Sequence, residues 1–171
     1  YEWAYQISAG DVALKSRAGR MKDKAAEYEL KTLQEAVTLN PEDTEAKEKL
    51  DEVRSSRIAE QVAERRKRVE QNPTDPQLRF DLGEVLHRAG EYSEAIPHLQ
   101  QATRNPHIRT RVLLLLGRTF DAKGMHDLAV KQLSDANAEL MVMDATKKEI
   151  LYELGLIHDN QGDKTAALRS E

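Results

Sequence analysis

Glycine spacing is the feature that most limits how this chain of 171 residues folds. Six of its eight glycines form three pairs. The pairs are Gly83 and Gly90, Gly117 and Gly124, and Gly155 and Gly162. The two glycines of every pair are seven residues apart, and successive pairs begin 34 and 38 residues apart. A period of this length indicates an array of similar structural units.

Leucine and alanine keep the same phase as the glycines. A leucine precedes the first glycine of each pair, and an alanine follows five residues after each second glycine. A glycine inside a helix costs about 1 kcal/mol relative to alanine, so the first glycine indicates close approach of a neighbouring helix. The second glycine lies where a helix should end in left-handed backbone. The pattern therefore predicts three helical hairpins that share one continuous core.

At these residues the chain resembles the tetratricopeptide repeat, a helix–turn–helix unit of about 34 residues. The family's leucine–glycine pair falls on Leu82 and Gly83, its turn begins at Gly90, and its terminal proline is Pro106. Its early tryptophan is absent, because Arg79 stands there. The resemblance implies an all-α fold, namely a right-handed helical-repeat solenoid.

The resemblance divides the second part of the chain, residues 74–171, into three repeats. They span 74–106, 110–141 and 148–171, and the last is incomplete. Residues 1–73 are less regular and predict a long helical hairpin or a degenerate repeat in front of the array. Asn40-Pro41 and Asn72-Pro73 each indicate a turn that ends a helix. Between them, residues 44–71 contain no internal glycine or proline, which favours one long helix antiparallel to a helix over 9–39.

Composition excludes several function classes. The net charge is −4, so the chain as a whole does not attract nucleic acid, and no nucleic-acid partner is expected. It has no cysteine, which excludes disulfides and thiolate metal sites. No apolar run reaches the roughly 18 residues of a membrane span. The five histidines lack metal-ligand spacing, and no catalytic residue or cofactor is predicted. The basic run Arg65–Arg68 is flanked by glutamates and is expected to be a solvated helix face.

The family resemblance also implies a binding surface, because the first helix of each tetratricopeptide hairpin lines an inner groove. Phe80, Leu114 and Tyr152 each lie three residues before a first glycine, so we expect them to form an apolar line along this groove. The other expected lining residues are Glu84, His87, Arg111, Arg118, Asp121, Leu156 and Asp159. Such a line suits an amphipathic helix or an extended peptide of another protein. The alternative is that the chain's own helices fill the groove.

The sequence thus predicts a non-catalytic protein-interaction scaffold. Two alternatives remain: a regulatory or substrate-docking segment of a larger multidomain enzyme, and a self-assembly module that forms a homo-oligomer through the open C-terminal end. The chain starts at Tyr1 without a methionine and stops at Glu171 inside a helical pattern, so we expect it to be a piece of a longer protein.

Overall fold

The computed structural model describes residues 12–160, apart from position 142. These residues form seven α-helices and no strand, which confirms the predicted all-α class. The helices are α1 (Val12–Leu39), α2 (Thr44–Gln71), α3 (Pro76–Arg88), α4 (Tyr92–Ala102), α5 (Arg109–Ala122), α6 (His126–Glu139) and α7 (Ala145–Asn160). None of the described helices is both long enough and apolar enough to cross a membrane. The chain divides into two compact units, Tyr1–Arg57 and Ile58–Glu171.

The first unit contains α1 and the beginning of α2. Asn40 and Asp43 form the turn between them, and the Asp43 carboxylate accepts a hydrogen bond from the Ala46 backbone N–H at 2.9 Å. The Arg54 guanidinium on α2 donates a hydrogen bond to the Gln34 side chain on α1. Leu50 of α2 is buried. This short turn and the hydrogen bond between the helices fit the predicted helical hairpin.

Helix α2 is continuous from Thr44 to Gln71, so the prediction of one long helix over these residues is confirmed. A degenerate repeat would contain two short helices in this region, but α2 has no break at Ser55-Ser56. The last part of α2 contributes Val62 and Val69 to the core of the second unit.

The second unit contains the α3–α4 and α5–α6 hairpins, followed by α7. The first glycine of each hairpin permits close helix packing. A Cβ built on Gly83 would lie 2.5 Å from Leu99 Cδ2, and one on Gly117 would lie 2.6 Å from Leu133 Cγ. Both leucines are fully buried. The first helix of each hairpin therefore approaches the second more closely than any other residue type would allow without a shift.

The second glycine of each of these hairpins ends a helix. Gly90 has φ +77° and Gly124 has φ +80°, which is left-handed backbone. The Glu91 N–H donates to the Leu86 carbonyl at 2.9 Å, and the Gly90 N–H donates to the His87 carbonyl at 3.0 Å. This pair of bonds is the Schellman motif, which satisfies the last carbonyl groups of α3.

The structure describes only part of the predicted third hairpin. Helix α7 contains Gly155, as expected for the first helix of that repeat. Gly162, Ala167 and the predicted second helix lie outside the described residues. The repeat boundaries drawn from the sequence remain predictions.

Candidate partner-binding groove

The three first helices of the hairpins lie next to one another. Helix α3 contacts α5, and α5 contacts α7. Every residue predicted to line the groove is on one of these helices. Those on α3 are Phe80, Glu84 and His87, those on α5 are Arg111, Leu114, Arg118 and Asp121, and those on α7 are Tyr152, Leu156 and Asp159. The fold therefore places the predicted residues on adjacent helices.

Two members of the predicted apolar line are buried in the protein's own core. Phe80 is 4% exposed and Leu114 is 6% exposed. The Arg111 guanidinium carbon lies 5.2 Å from the centroid of the Phe80 ring, in cation–π geometry, so a residue of α5 covers this ring of α3. The expectation of a continuous exposed apolar line is wrong at these two positions, because both side chains belong to the buried core of the second unit.

The exposed apolar surface of the groove helices is on α7. Tyr152 is 65% exposed and Leu156 is 41% exposed. They are four residues apart, so their side chains lie on one face of the helix. Asp159 is also exposed, one turn further along. This patch contains the two large apolar side chains that remain available from the predicted set.

Arg118 connects α5 to α7 through two carboxylates. Its Nε donates to Glu153 Oε1 at 2.8 Å, and its terminal nitrogen donates to Glu149 Oε1 at 2.7 Å. Partial burial disfavours the charge on Arg118, but the hydrogen bonds to Glu149 and Glu153 outweigh it and raise the pKa of the guanidinium. This pairing was not predicted from the sequence. Glutamates four residues apart in α7 were its only sequence signal.

His87 forms a second polar contact between first helices. Its Nδ1 lies 3.0 Å from the Thr119 hydroxyl, and that hydroxyl donates its proton to the Leu115 carbonyl at 2.7 Å. Because the hydroxyl proton is used, the His87 Nδ1–H is the donor in the first contact. Burial, followed by the charge of Arg118, lowers the pKa of His87. His87 thus favours its neutral form and joins α3 to α5.

The two remaining acidic residues of the set differ in their surroundings. Glu84 is exposed on α3. Asp121 lies 2.7 Å from His126 Nδ1 at the start of α6, so the turn of the second hairpin engages it. Asp121 is therefore a turn residue as well as a predicted groove residue.

Two of the four residues in the basic run Arg65–Arg68 are paired with carboxylates of the protein. Arg68 pairs with Glu64 on the same helix, as expected from their spacing. Arg66 forms two hydrogen bonds with Glu94, at 3.0 and 2.7 Å, and one with Glu91 at 3.0 Å. The hydrogen bonds to Glu94 raise the pKa of Arg66. These partners are at the beginning of α4 and could not be identified from the local sequence.

No group of three histidine or acidic side chains that could hold a metal ion occurs in the part of the chain that the structure describes. The described contacts of the groove are apolar, ionic or single hydrogen bonds between helices. This arrangement can bind a polypeptide segment through a small apolar patch with charged residues beside it.

Part of the chain matches a known family model, and solved structures share its fold. Residues 55–133, from the middle of α2 to α6, match the family model described as tetratricopeptide repeat. A crystal structure of MamA is 18% identical, with a TM-score of 0.60, and the match covers 94% of this chain and 90% of that one. MamA 41-end from Desulfovibrio magneticus RS-1 is 18% identical, with a TM-score of 0.62 and coverage of 91% and 88%. Both are similar to this chain in fold. No curated protein matches the sequence of this chain.

Proposed function

From the match of residues 55–133 to the tetratricopeptide repeat model, we propose that the chain is a tetratricopeptide-like, non-catalytic protein-interaction scaffold. A peptide or helix of another protein lies against the surface formed by α3, α5 and α7. A single hairpin offers too little surface for this, whereas neighbouring repeats align equivalent faces into one extended surface.

The observation that carries the proposal is the exposed pair Tyr152 and Leu156. Large apolar side chains that lie together on a surface and are rimmed by charge mark interaction sites. Tyrosine is also among the residue types that dominate binding energy at interfaces. The pair lies on the same helix as Glu149 and Glu153, which hold Arg118. The charged rim is therefore ordered before a partner arrives, which lowers the entropic cost of binding.

The charges beside Tyr152 and Leu156 have both signs. Lys148 is exposed one turn before Tyr152, and Asp159 is exposed about one turn after Leu156. Glu149 and Glu153 are paired with Arg118. We therefore expect the bound segment to present an apolar side chain to Tyr152, with charged residues on either side of it.

The experiment is a selection from a phage-displayed peptide library on the folded chain. The affinity of the best synthetic peptide is then measured by isothermal titration calorimetry. Truncating an anchor residue often costs about 2 kcal/mol or more, so Tyr152→Ala should weaken binding by about thirtyfold. Leu156→Ala should weaken it less, because less apolar area is lost.

Two exposed residues on other helices provide matched controls. Tyr28 on α1 is 74% exposed, and Leu128 on α6 is 39% exposed. Tyr28→Ala and Leu128→Ala should leave the affinity of the selected peptide unchanged. If Tyr152→Ala retains full affinity, the groove proposal is wrong. If no peptide is selected and Tyr152→Ala abolishes an oligomer seen by light scattering, self-assembly replaces peptide binding as the function of this surface.

A further inference from the structure

Helix α1 carries apolar side chains on two opposite sides. The first side is half-buried and consists of Ala26, Leu30, Leu33 and Val37. The second side is exposed, with Met21 at 53%, Tyr28 at 74% and Leu39 at 86%. At about 100° per residue, the second set lies across the helix from the first. Packing of the first side leaves this second apolar line exposed on α1.

This side of α1 follows a heptad spacing. Apolar or small residues alternate along it at intervals of four and three, at Leu14, Ala18, Met21, Ala25, Tyr28 and Thr32. The first two are half-buried, and the other four are exposed. This interval keeps one face turned towards a second helix that runs alongside. The spacing therefore indicates a helix as the occupant, because an extended peptide does not match a period of 3.5 residues.

Cations flank the line at the same interval. Arg17, Lys24 and Lys31 are seven residues apart, and all three are exposed. Arg17 and Lys24, together with Arg20 and Met21, line a shallow hollow on the surface. Lys31 has only a weak, exposed ion pair with Glu35 at 3.8 Å. A flanking charge of one sign in each heptad selects a partner helix with the opposite charge at the facing position.

We propose that this face binds one amphipathic helix of another protein, with carboxylates repeated every seven residues along one flank. We call the face the α1 seam, defined as Arg17, Met21, Lys24, Tyr28 and Lys31. A helix that lies on a membrane buries a broad apolar face, whereas the seam is a narrow line with Glu35 beside it. A protein helix therefore fits the seam better than a lipid surface does. The seam belongs to the first unit, so the proposal does not depend on the groove.

The test uses the full chain and a synthetic three-heptad helix labelled with fluorescein. The peptide carries leucine and alanine at the seam positions and glutamate on one flank, and a matched peptide carries lysine in place of each glutamate. By fluorescence anisotropy, we expect the glutamate peptide to bind and the lysine peptide not to bind. Tyr28→Ala should weaken binding by about tenfold or more. Lys24→Glu should lower the affinity of the glutamate peptide and raise the affinity of the lysine peptide.

Controls separate the seam from general effects of charge and exposure. Lys47→Glu makes the same charge change at an exposed position on α2, and Leu128→Ala removes an exposed apolar side chain from α6. Both should leave the affinity unchanged. Because the chain has no cysteine, Met21→Cys carries a single environment-sensitive dye. The dye should shift to the blue with the glutamate peptide, whereas a dye at Met141→Cys should not.

Three results overturn the proposal. The first is equal binding of the two peptides, or full binding by Tyr28→Ala. The second is that the chain binds phosphatidylserine-rich vesicles but not the glutamate peptide, and that Lys24→Glu abolishes the binding to vesicles. This result would assign the seam to membranes. The third is that the glutamate peptide does not bind, and that light scattering shows a dimer which Tyr28→Ala abolishes. This result would assign the seam to a second copy of the chain.

Discussion

Replacing Gly83 with alanine tests whether glycine is required where α3 meets α4. The added Cβ would lie 2.5 Å from Leu99 Cδ2 and 2.7 Å from Leu99 Cγ, whereas carbon atoms in contact lie about 3.5–4.0 Å apart. Leu99 is fully buried, so it cannot swing into solvent. Overpacking of this kind costs about 1–3 kcal/mol. Alanine recovers about 1 kcal/mol of helix propensity. We therefore expect a net loss of up to about 2 kcal/mol in the free energy of unfolding.

The measurement is urea unfolding followed by circular dichroism, with hydrogen exchange reporting the stability of α3 and α4 separately from α1. Leu99→Ala in the same chain should remove the clash, so the double variant should lose less than the sum of the single losses. Gly19→Ala is the opposite control, because its Cβ would meet nothing within 4 Å, and it should stabilise α1 by up to about 1 kcal/mol. An increase in stability for Gly83→Ala would refute the close-packing argument.

Three further variants test the turn, the electrostatics and the pH response. Gly90→Ala forces a Cβ into left-handed backbone and should cost about 1–2 kcal/mol in thermal or urea unfolding. Arg66→Ala removes ion pairs with Glu94 and Glu91 that are almost half exposed, so the loss should be about 1 kcal/mol or less and should shrink in high salt. The pKa of His87 is lower in the folded state, so its contribution is complete above the unfolded pKa of about 6.5 and is lost as the pH falls below it. His87→Gln should therefore flatten the fall in unfolding free energy as the pH drops below about 6.5, and an unchanged slope would contradict this.

The repeat architecture was predictable from the sequence because its signals act over short distances. Left-handed backbone at Gly90 and Gly124 and close approach at Gly83 and Gly117 exclude most other residue types. Glycine at a fixed interval therefore indicates directly where a helix ends and where two helices come into close contact. The long helix α2 was predictable for the converse reason, since nothing in residues 44–71 interrupts it.

The groove was less predictable because its exposure depends on packing between repeats. Phe80, Leu114 and Tyr152 occupy equivalent places in their hairpins, yet only Tyr152 is exposed. Phe80 and Leu114 are on helices that have another first helix after them, whereas α7 has none among the described residues. Equivalent sequence positions therefore do not have equal exposure. The pairing of Arg118 with α7 was missed for the same reason, because it joins residues more than 30 positions apart.

The two proposed surfaces differ in the charge that they present to a partner. On α7, the exposed charges near Tyr152 have both signs, because Lys148 lies one turn before it and Asp159 lies two turns after it. Glu149 and Glu153 on the same helix are paired with Arg118. The α1 seam instead presents a cation in every heptad from Arg17 to Lys31. An acidic helix suited to the seam therefore gains no matching attraction at Tyr152. We expect an excess of the seam peptide with glutamates to leave the affinity of the groove peptide unchanged, and displacement of one peptide by the other would contradict two separate sites.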